Sequence, residues 1–226
     1  MIYFIIIYTM DIEKLISDTV KTNWKPILLS IVQDHKDFIN TELTNRYEFF
    51  GEENIFPNKN LIFNCFNQFD IEDLKCIIIG QDCYHTRGVA NGLCFSQNTE
   101  KPQPSLNNIF KELHRCFGIT RTNTDLTDWA KQGCLLLNMS LTVLENKPNS
   151  HAKIWNNFTD DIMKYIANNF SGITIMLWGN YAMCVEKHFV NNKNKILKAG
   201  HPSPLNTKKP FVGCNHFLEV TSITWI

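Results

Sequence analysis

Four short, mostly apolar runs, at residues 74–80, 133–138, 173–179 and 195–200, recur along this chain, and each is followed by a polar or turn-forming segment. Between them, over 105–117, 155–170 and 181–190, the apolar residues return at helical spacing. Strands that alternate with helices pair in parallel, because each helix carries the chain back to the starting edge. The first three runs are apolar enough to be covered on both faces. Upstream, Leu15, Ile16, Leu28, Leu29, Ile31, Val32, Phe38, Ile39 and Leu43 follow a helical period, which predicts two or three helices before residue 50. The expected fold is α/β, a single domain with a central four-stranded, mostly parallel sheet flanked by helices on both faces. No repeat, low-complexity tract or linker divides the chain. Residues 11–226 are therefore read as one domain, and residues 1–10 as an apolar N-terminal extension ending where a capped pattern starts at Asp11.

Composition narrows the function. With 226 residues, 44% of them hydrophobic, the chain can bury one good-sized core and is not a disordered tail. Lys plus Arg equal Asp plus Glu at 22 each, which excludes a strongly basic, indiscriminate nucleic-acid coat. The balance conceals a polarity, because Lys187, Lys193, Lys195, Lys198, Lys208 and Lys209 fall in a stretch, 187–218, that has no acid. Most of the eight cysteines lie in apolar runs and read as buried thiols. No Cys-x-x-Cys pair and no histidine at ligand spacing supports a metal, so neither metal nor cofactor is expected. The apolar residues 1–10 lack a basic flank and fall far below the roughly 20 needed to span a bilayer, so no membrane association is expected.

In a parallel sheet, ligands bind beyond the carboxyl ends of the strands. The first run leads into Gln81-Asp82-Cys83-Tyr84-His85, the second ends in Asn138, the third in Trp178-Gly179-Asn180, and the fourth in His201-Pro202-Ser203-Pro204-Leu205. Taken singly, Asp82 reads as a turn or capping residue, Asn138 as a strand-end amide, and His201 as structural or functional. Together, a carboxylate, an imidazole and a carboxamide at three strand ends form a set able to hold a heterocycle and break a bond beside it. Tyr84 and Phe95 are suited to contact a planar ring, with core packing as the alternative for Phe95. The 101–105 segment places Pro104 and an expected N-cap, Ser105, before a helix whose first N–H groups can hold a phosphate. As a plain cap, Ser105 would need no ligand.

The motifs Gly80-Gln81-Asp82-Cys83-Tyr84-His85, Gly92-Leu93-Cys94-Phe95-Ser96, Pro102-x-Pro104-Ser105-Leu106, Leu135-Leu136-Leu137-Asn138, Leu177-Trp178-Gly179, His201-Pro202-Ser203-Pro204-Leu205 and Gly213-Cys214-Asn215-His216-Phe217 stand in an order that resembles a family 1 uracil-DNA glycosylase. The resemblance runs from about Trp24 to Phe217. It implies an enzyme that flips uracil out of single- or double-stranded DNA and hydrolyses its N-glycosidic bond, starting base excision repair without metal or cofactor. By that resemblance, Asp82 orients the water and stabilises the sugar cation, and His201 hydrogen-bonds uracil O2. Asn138 reads the base edge, Tyr84 occupies the space of a thymine methyl, Phe95 stacks on the ring, and Gln81 adds contacts. Leu205 is the wedge entering the duplex, and Ser105, Pro104 and Ser203 meet the DNA backbone. Apart from the resemblance, the acid-free lysine cluster around that segment, Lys208 and Lys209 with it, can attract the backbone. It further implies a monomer within the cell, in the cytoplasm of a bacterium or in the nucleus or viral replication site otherwise. A protein inhibitor or replication partner is left open.

The sequence departs from the family at five places. Cys83 replaces the usual proline, and Val89 and Asn91 replace Gln and His. Equal-length alignment to the His-Pro-Ser-Pro motif puts Glu186 and Lys187 where a Gly and a small residue meet the DNA backbone, so that loop is not carried over. The tail beyond Phe217 is short. Two rivals follow: a glycosylase-like module that binds DNA or a partner with weak cleavage, and a cysteine hydrolase using Cys83 beside His85 and Asp82. The glycosylase reading expects Cys83→Pro to keep or improve uracil release, and the thiol reading expects complete loss. A release assay on both proteins separates them, and a wild type that binds DNA without freeing any base favours the module.

Overall fold

The computed structural model describes residues 9–190 and 193–226. Three helices come first: α1 (Ile12–Thr19), α2 (Trp24–Val32) and α3 (Lys36–Phe50). Asp11 caps α1 by accepting the Lys14 N–H at 2.9 Å. Residues 1–8 of the apolar extension lie outside the described residues. Met10 is buried, and its N–H donates to Thr44 Oγ1 at 2.9 Å. The remaining elements in chain order are β1 (Ile55–Phe56), β2 (Cys76–Asp82), α4 (Pro104–Phe117), α5 (Thr127–Ala130), β3 (Cys134–Ser140), β4 (Val143–Leu144), α6 (Ala152–Asn169), β5 (Thr174–Trp178), α7 (Glu186–Phe189), β6 (Lys195–Ala199) and α8 (His216–Glu219). The helix expected over 181–190 is instead a 3₁₀ turn, Ala182–Val185, followed by the single turn of α7.

All four apolar runs form strands of one sheet in the order β3-β2-β5-β6, and every pairing is parallel. A separate antiparallel pair, β1 with β4, lies outside it. The chain passes from β2 to β3 on one side and then crosses to β5 on the other, so the strand order reverses at β2. Crossovers of one hand that run in opposite directions place their helices on opposite faces of the sheet. Accordingly, α6 packs with α2, α3 and α7, while α4 packs with α8. The reversal opens a crevice beyond the carboxyl ends of the strands. At the far edge, β6 exposes Lys195 and Lys198, charges that suit an unpaired strand edge. Among the described residues, no helix is long and apolar enough to cross a membrane.

Beneath the crevice lies an aromatic cluster. Trp178, the last residue of β5, has its ring 4.8 Å from Phe211, 5.6 Å from Phe95 and 6.0 Å from Phe217, and its Nε1–H donates to His216 Nδ1 at 3.0 Å. The short tail belongs to this core. Trp225 is buried at 5.0 Å from Trp129, whose Nε1–H donates to the Trp225 carbonyl at 3.1 Å. A buried carboxylate holds the preceding segment to α4: Glu112 accepts the N–H groups of Gly213 at 2.6 Å and Asn215 at 2.9 Å, and the Nε–H and an Nη2–H of Arg115 at 2.8 Å each.

Burial alone would raise the Glu112 pKa, but Arg115 and the two N–H groups outweigh it and hold the carboxyl at about 2. A depressed pKa stabilises the fold fully above the ordinary value of 4.5, and this contribution fades as pH falls toward 2. Glu112→Gln is therefore expected to lower stability at pH 7 by roughly 2 kcal/mol. The difference from wild type should shrink in urea titrations repeated at successively lower pH.

Candidate active site

The site is assembled at the ends of β2 and β3. Gly80 and Asn138 are register partners, and Asn138 is buried. A Cβ at position 80 would stand 2.1 Å from Asn138 Oδ1 and 2.8 Å from Cys94 Cβ, so the carboxamide crosses the strand where there is no side chain. Two residues on, Asp82 ends β2. Its Oδ2 accepts the Asn149 N–H at 2.5 Å, while burial raises its pKa against the opposing pull of that N–H and of His85. Asn149 donates from a left-handed backbone, φ 65°. Pro148 and Asn149 were not among the candidate residues. Their signal is the turn-forming cluster Asn146-Lys147-Pro148-Asn149 beyond the second apolar run.

Phe95 also has a left-handed backbone, φ 61°, and its carbonyl accepts the Tyr84 hydroxyl at 3.2 Å. Its ring is 6.0 Å from the His201 ring as well as touching Trp178, so it both packs and faces the crevice. Cys94 N–H donates to Leu136 O at 3.0 Å and fastens this segment to β3. Asn91 is buried within the turn, where Oδ1 accepts the Leu93 N–H at 3.2 Å and Nδ2 donates to Ser96 Oγ at 2.8 Å.

His201 follows β6. Its Nδ1 accepts the Ser203 N–H at 2.9 Å, which places the proton of the neutral ring on Nε2. Burial pushes its pKa down and keeps it neutral. The loop beyond is braced from both sides. Asn108 of α4 donates to Pro202 O at 2.8 Å, and Asn206 Nδ2 donates to His201 O at 3.1 Å and Lys209 O at 2.7 Å. Leu205, at the tip, is 90% exposed and held there by its N–H on Ser203 Oγ at 3.2 Å.

A cavity of about 430 Å³ is lined by Asp82, Tyr84, Phe95, Asn138, His201 and Ser105, with Gln81, Ser203 and Leu205 on its wall. Pro104, Lys208 and Lys209 do not line it. Ser105 is not a helix cap: Gln103 is the N-cap of α4, Pro104 takes the first helical position, and Ser105 follows. The two lysines border an adjoining cavity of about 310 Å³ with Gly179 and Asn180. Gly179 and Asn180, not Glu186 and Lys187, are thus the residues beside His201 at the end of β5. Glu186 and Lys187 belong to α7 and pair with Lys198 at 2.9 Å and Asp160 at 3.1 Å. Lys195 pairs with Glu219 at 2.6 Å. Three of the six clustered lysines are thus compensated by acids outside the 187–218 stretch, while Lys208 and Lys209 stay exposed.

Cys83 is buried, with Sγ 3.4 Å from Leu141 O and 3.7 Å from Ser140 O. Burial, and then the charge of Asp82, pushes its thiol up to about 12. A protonated thiol turned onto backbone carbonyls is no nucleophile, which overturns the cysteine-hydrolase alternative.

A family model described as the Uracil DNA glycosylase superfamily matches residues 66–222, more than half of the chain. A uracil-DNA glycosylase of Borrelia duttonii (strain Ly) is 42% identical over 202 residues, 88% of this chain and 90% of that one. One of Campylobacter jejuni (strain RM1221) is 45% identical over 203 residues, covering 84% and 87%. In structure, mimivirus uracil-DNA glycosylase superposes with a TM-score of 0.78 at 24% identity, over 84% of this chain and 72% of that one, a likeness of fold.

The contact between Gly80 and Asn138 yields a test. Gly80→Ala is expected to displace the carboxamide and cost about 1–3 kcal/mol in chemical denaturation. In a double-mutant cycle with Asn138→Ala, part of that cost should return, because the clashing oxygen is gone. Strict additivity would mean that the two positions do not press on each other.

Proposed function

The chain belongs to the uracil-DNA glycosylase superfamily, and on that premise we propose that it hydrolyses the N-glycosidic bond of uracil in DNA with Asp82 and His201 as its catalytic residues. The observation that carries the assignment is the meeting, in one cavity, of a carboxylate, a carboxamide and an imidazole whose Nδ1 is already occupied.

The flipped uracil enters with its ring on Phe95, its C5 side against Tyr84, and Gln81 adding a contact at the wall. Asn138 meets the O4 and N3–H edge. Water attacks C1′ of the deoxyribose as the C1′–N1 bond breaks, and the bonding electrons pass into the base as negative charge on O2. The Nε2–H of His201 donates to that oxygen and stabilises the charge as it develops. Asp82 orients the water, faces the sugar cation, and takes the proton the water loses. Its raised pKa makes it a better acceptor than an exposed carboxylate. Leu205 fills the place the base has left, offsetting unstacking of a few kcal/mol. Pro104, Ser105 and Ser203 meet the phosphates, and Lys208 and Lys209 draw in the backbone. The product is an abasic site, the entry to base excision repair. The enzyme acts on DNA within the cell.

Matched oligonucleotides carrying uracil, thymine or cytosine at one position test this. Wild type is expected to release uracil alone. Asp82→Asn should lower the rate by about 10²–10⁴ and His201→Leu by about 10²–10³. Leu205→Ala should impair release from double-stranded more than from single-stranded substrate. Retained activity in Asp82→Asn and His201→Leu would remove the catalytic assignment, and no uracil release by wild type would remove the function.

A further inference from the structure

Position 83, where the family motif usually has proline, carries contacts that proline could not make, and their meaning rests on the base-reading role proposed for Asn138. Cys83→Pro is therefore expected to lose uracil affinity rather than to keep or improve release. The Cys83 thiol has one proton. The Leu141 carbonyl at 3.4 Å and the Ser140 carbonyl at 3.7 Å are acceptors only, so that proton is committed to the backbone. The sulfur lone pairs are left over, and Asn138 Nδ2 donates to them at 3.5 Å. At the other end of the same carboxamide, Oδ1 lies against Gly80, where a Cβ would come within 2.1 Å.

The two ends of the amide are thus chemically distinguished. Turning it over would set Oδ1 against the sulfur lone pairs and break the N–H···S bond. Restoring a bond would require the thiol proton to leave the carbonyls. Because burial keeps the thiol protonated up to about 12, this arrangement persists at every working pH.

We propose that Cys83 is a positioning residue for base recognition: its sulfur fixes which end of the Asn138 carboxamide donates and which accepts. One Nδ2 proton is engaged by sulfur, and the other is left with Oδ1 for the base. Uracil presents an acceptor, O4, beside a donor, N3–H. Cytosine presents the reverse, an N4–H donor beside the N3 acceptor, and would need the flipped amide that the sulfur opposes. A sulfur-accepted hydrogen bond is weak, so Cys83 biases an orientation that Gly80 makes room for.

The test uses free uracil as probe. Its inhibition of uracil release from a single-stranded oligonucleotide is measured for wild type, Cys83→Ala and Cys83→Ser, with the Asn138 carboxamide proton resonances recorded on the same proteins. Cys83→Ala is expected to weaken uracil binding roughly three- to tenfold and to shift one of the two Nδ2 protons. Cys83→Ser, whose hydroxyl can also accept from Nδ2 and donate to a carbonyl, should recover most of the affinity. A folded Cys83→Ala protein that binds uracil like wild type, with both protons unmoved, overturns the proposal. Should Cys83→Ala not fold, an unmoved Asn138 proton in Cys83→Ser overturns it equally. Wild type that frees no uracil sinks the glycosylase reading instead, and the resonances still decide whether Cys83 orients Asn138.

Discussion

The site depends on how closely β2 and β3 approach at one register pair. Because Gly80 has no side chain, the Asn138 carboxamide can lie across the neighbouring strand without leaving its own. Any larger residue would collide with Asn138 and Cys94 and push the carboxamide out of its place in the cavity. Parallel pairing then puts Asp82 two residues further along β2, opposite Ser140, so the Asn138 carboxamide and the Asp82 carboxylate share one rigid frame. Side chains carried on paired strands hold their spacing better than side chains on loops.

Main-chain N–H groups set the electrostatics. One from Asn149 holds Asp82, and one from Ser203 holds His201 Nδ1. The same crevice buries both groups, and burial moves their pKa values in opposite directions, up for the acid and down for the imidazole. Each shift favours the neutral form. The imidazole keeps that form because Nδ1 accepts the Ser203 N–H, a bond that a protonated Nδ1 could not accept. The carboxylate is drawn back toward its charge by an N–H donor and by His85.

Much of this was legible in the sequence, since apolar runs report strands directly and a parallel sheet brings their carboxyl ends together. Asp82, Asn138 and His201 could be found because each follows or ends such a run. Pro148 and Asn149 are not legible as part of the site, because what Asn149 supplies is a backbone N–H, which nearly any residue type could provide. Ser105 was misplaced by two positions relative to the cap, because Pro104 already serves as the first helical residue. The lysine cluster looked uncompensated because its partners, Asp160, Glu186 and Glu219, lie outside the stretch in sequence but across from it in space. Cys83 was ambiguous for the same reason. Whether a thiol is reactive depends on what surrounds it, and Leu141 and Ser140 are far from it along the chain.

Helix α4 has a mechanical consequence. Ser105 in its first turn lines the cavity, Asn108 holds the Pro202 carbonyl, and Glu112 grips Gly213 and Asn215, so one rod fastens three parts of the surface over about two turns. The distance from Ser105 to the Leu205-bearing loop is thereby a fixed gauge with little compliance. On the proposed roles, a duplex laid on this surface must match the gauge by bending and narrowing its own backbone. Stiffness differs from one base step to the next, so the ease of reaching uracil would vary with flanking bases that no side chain touches.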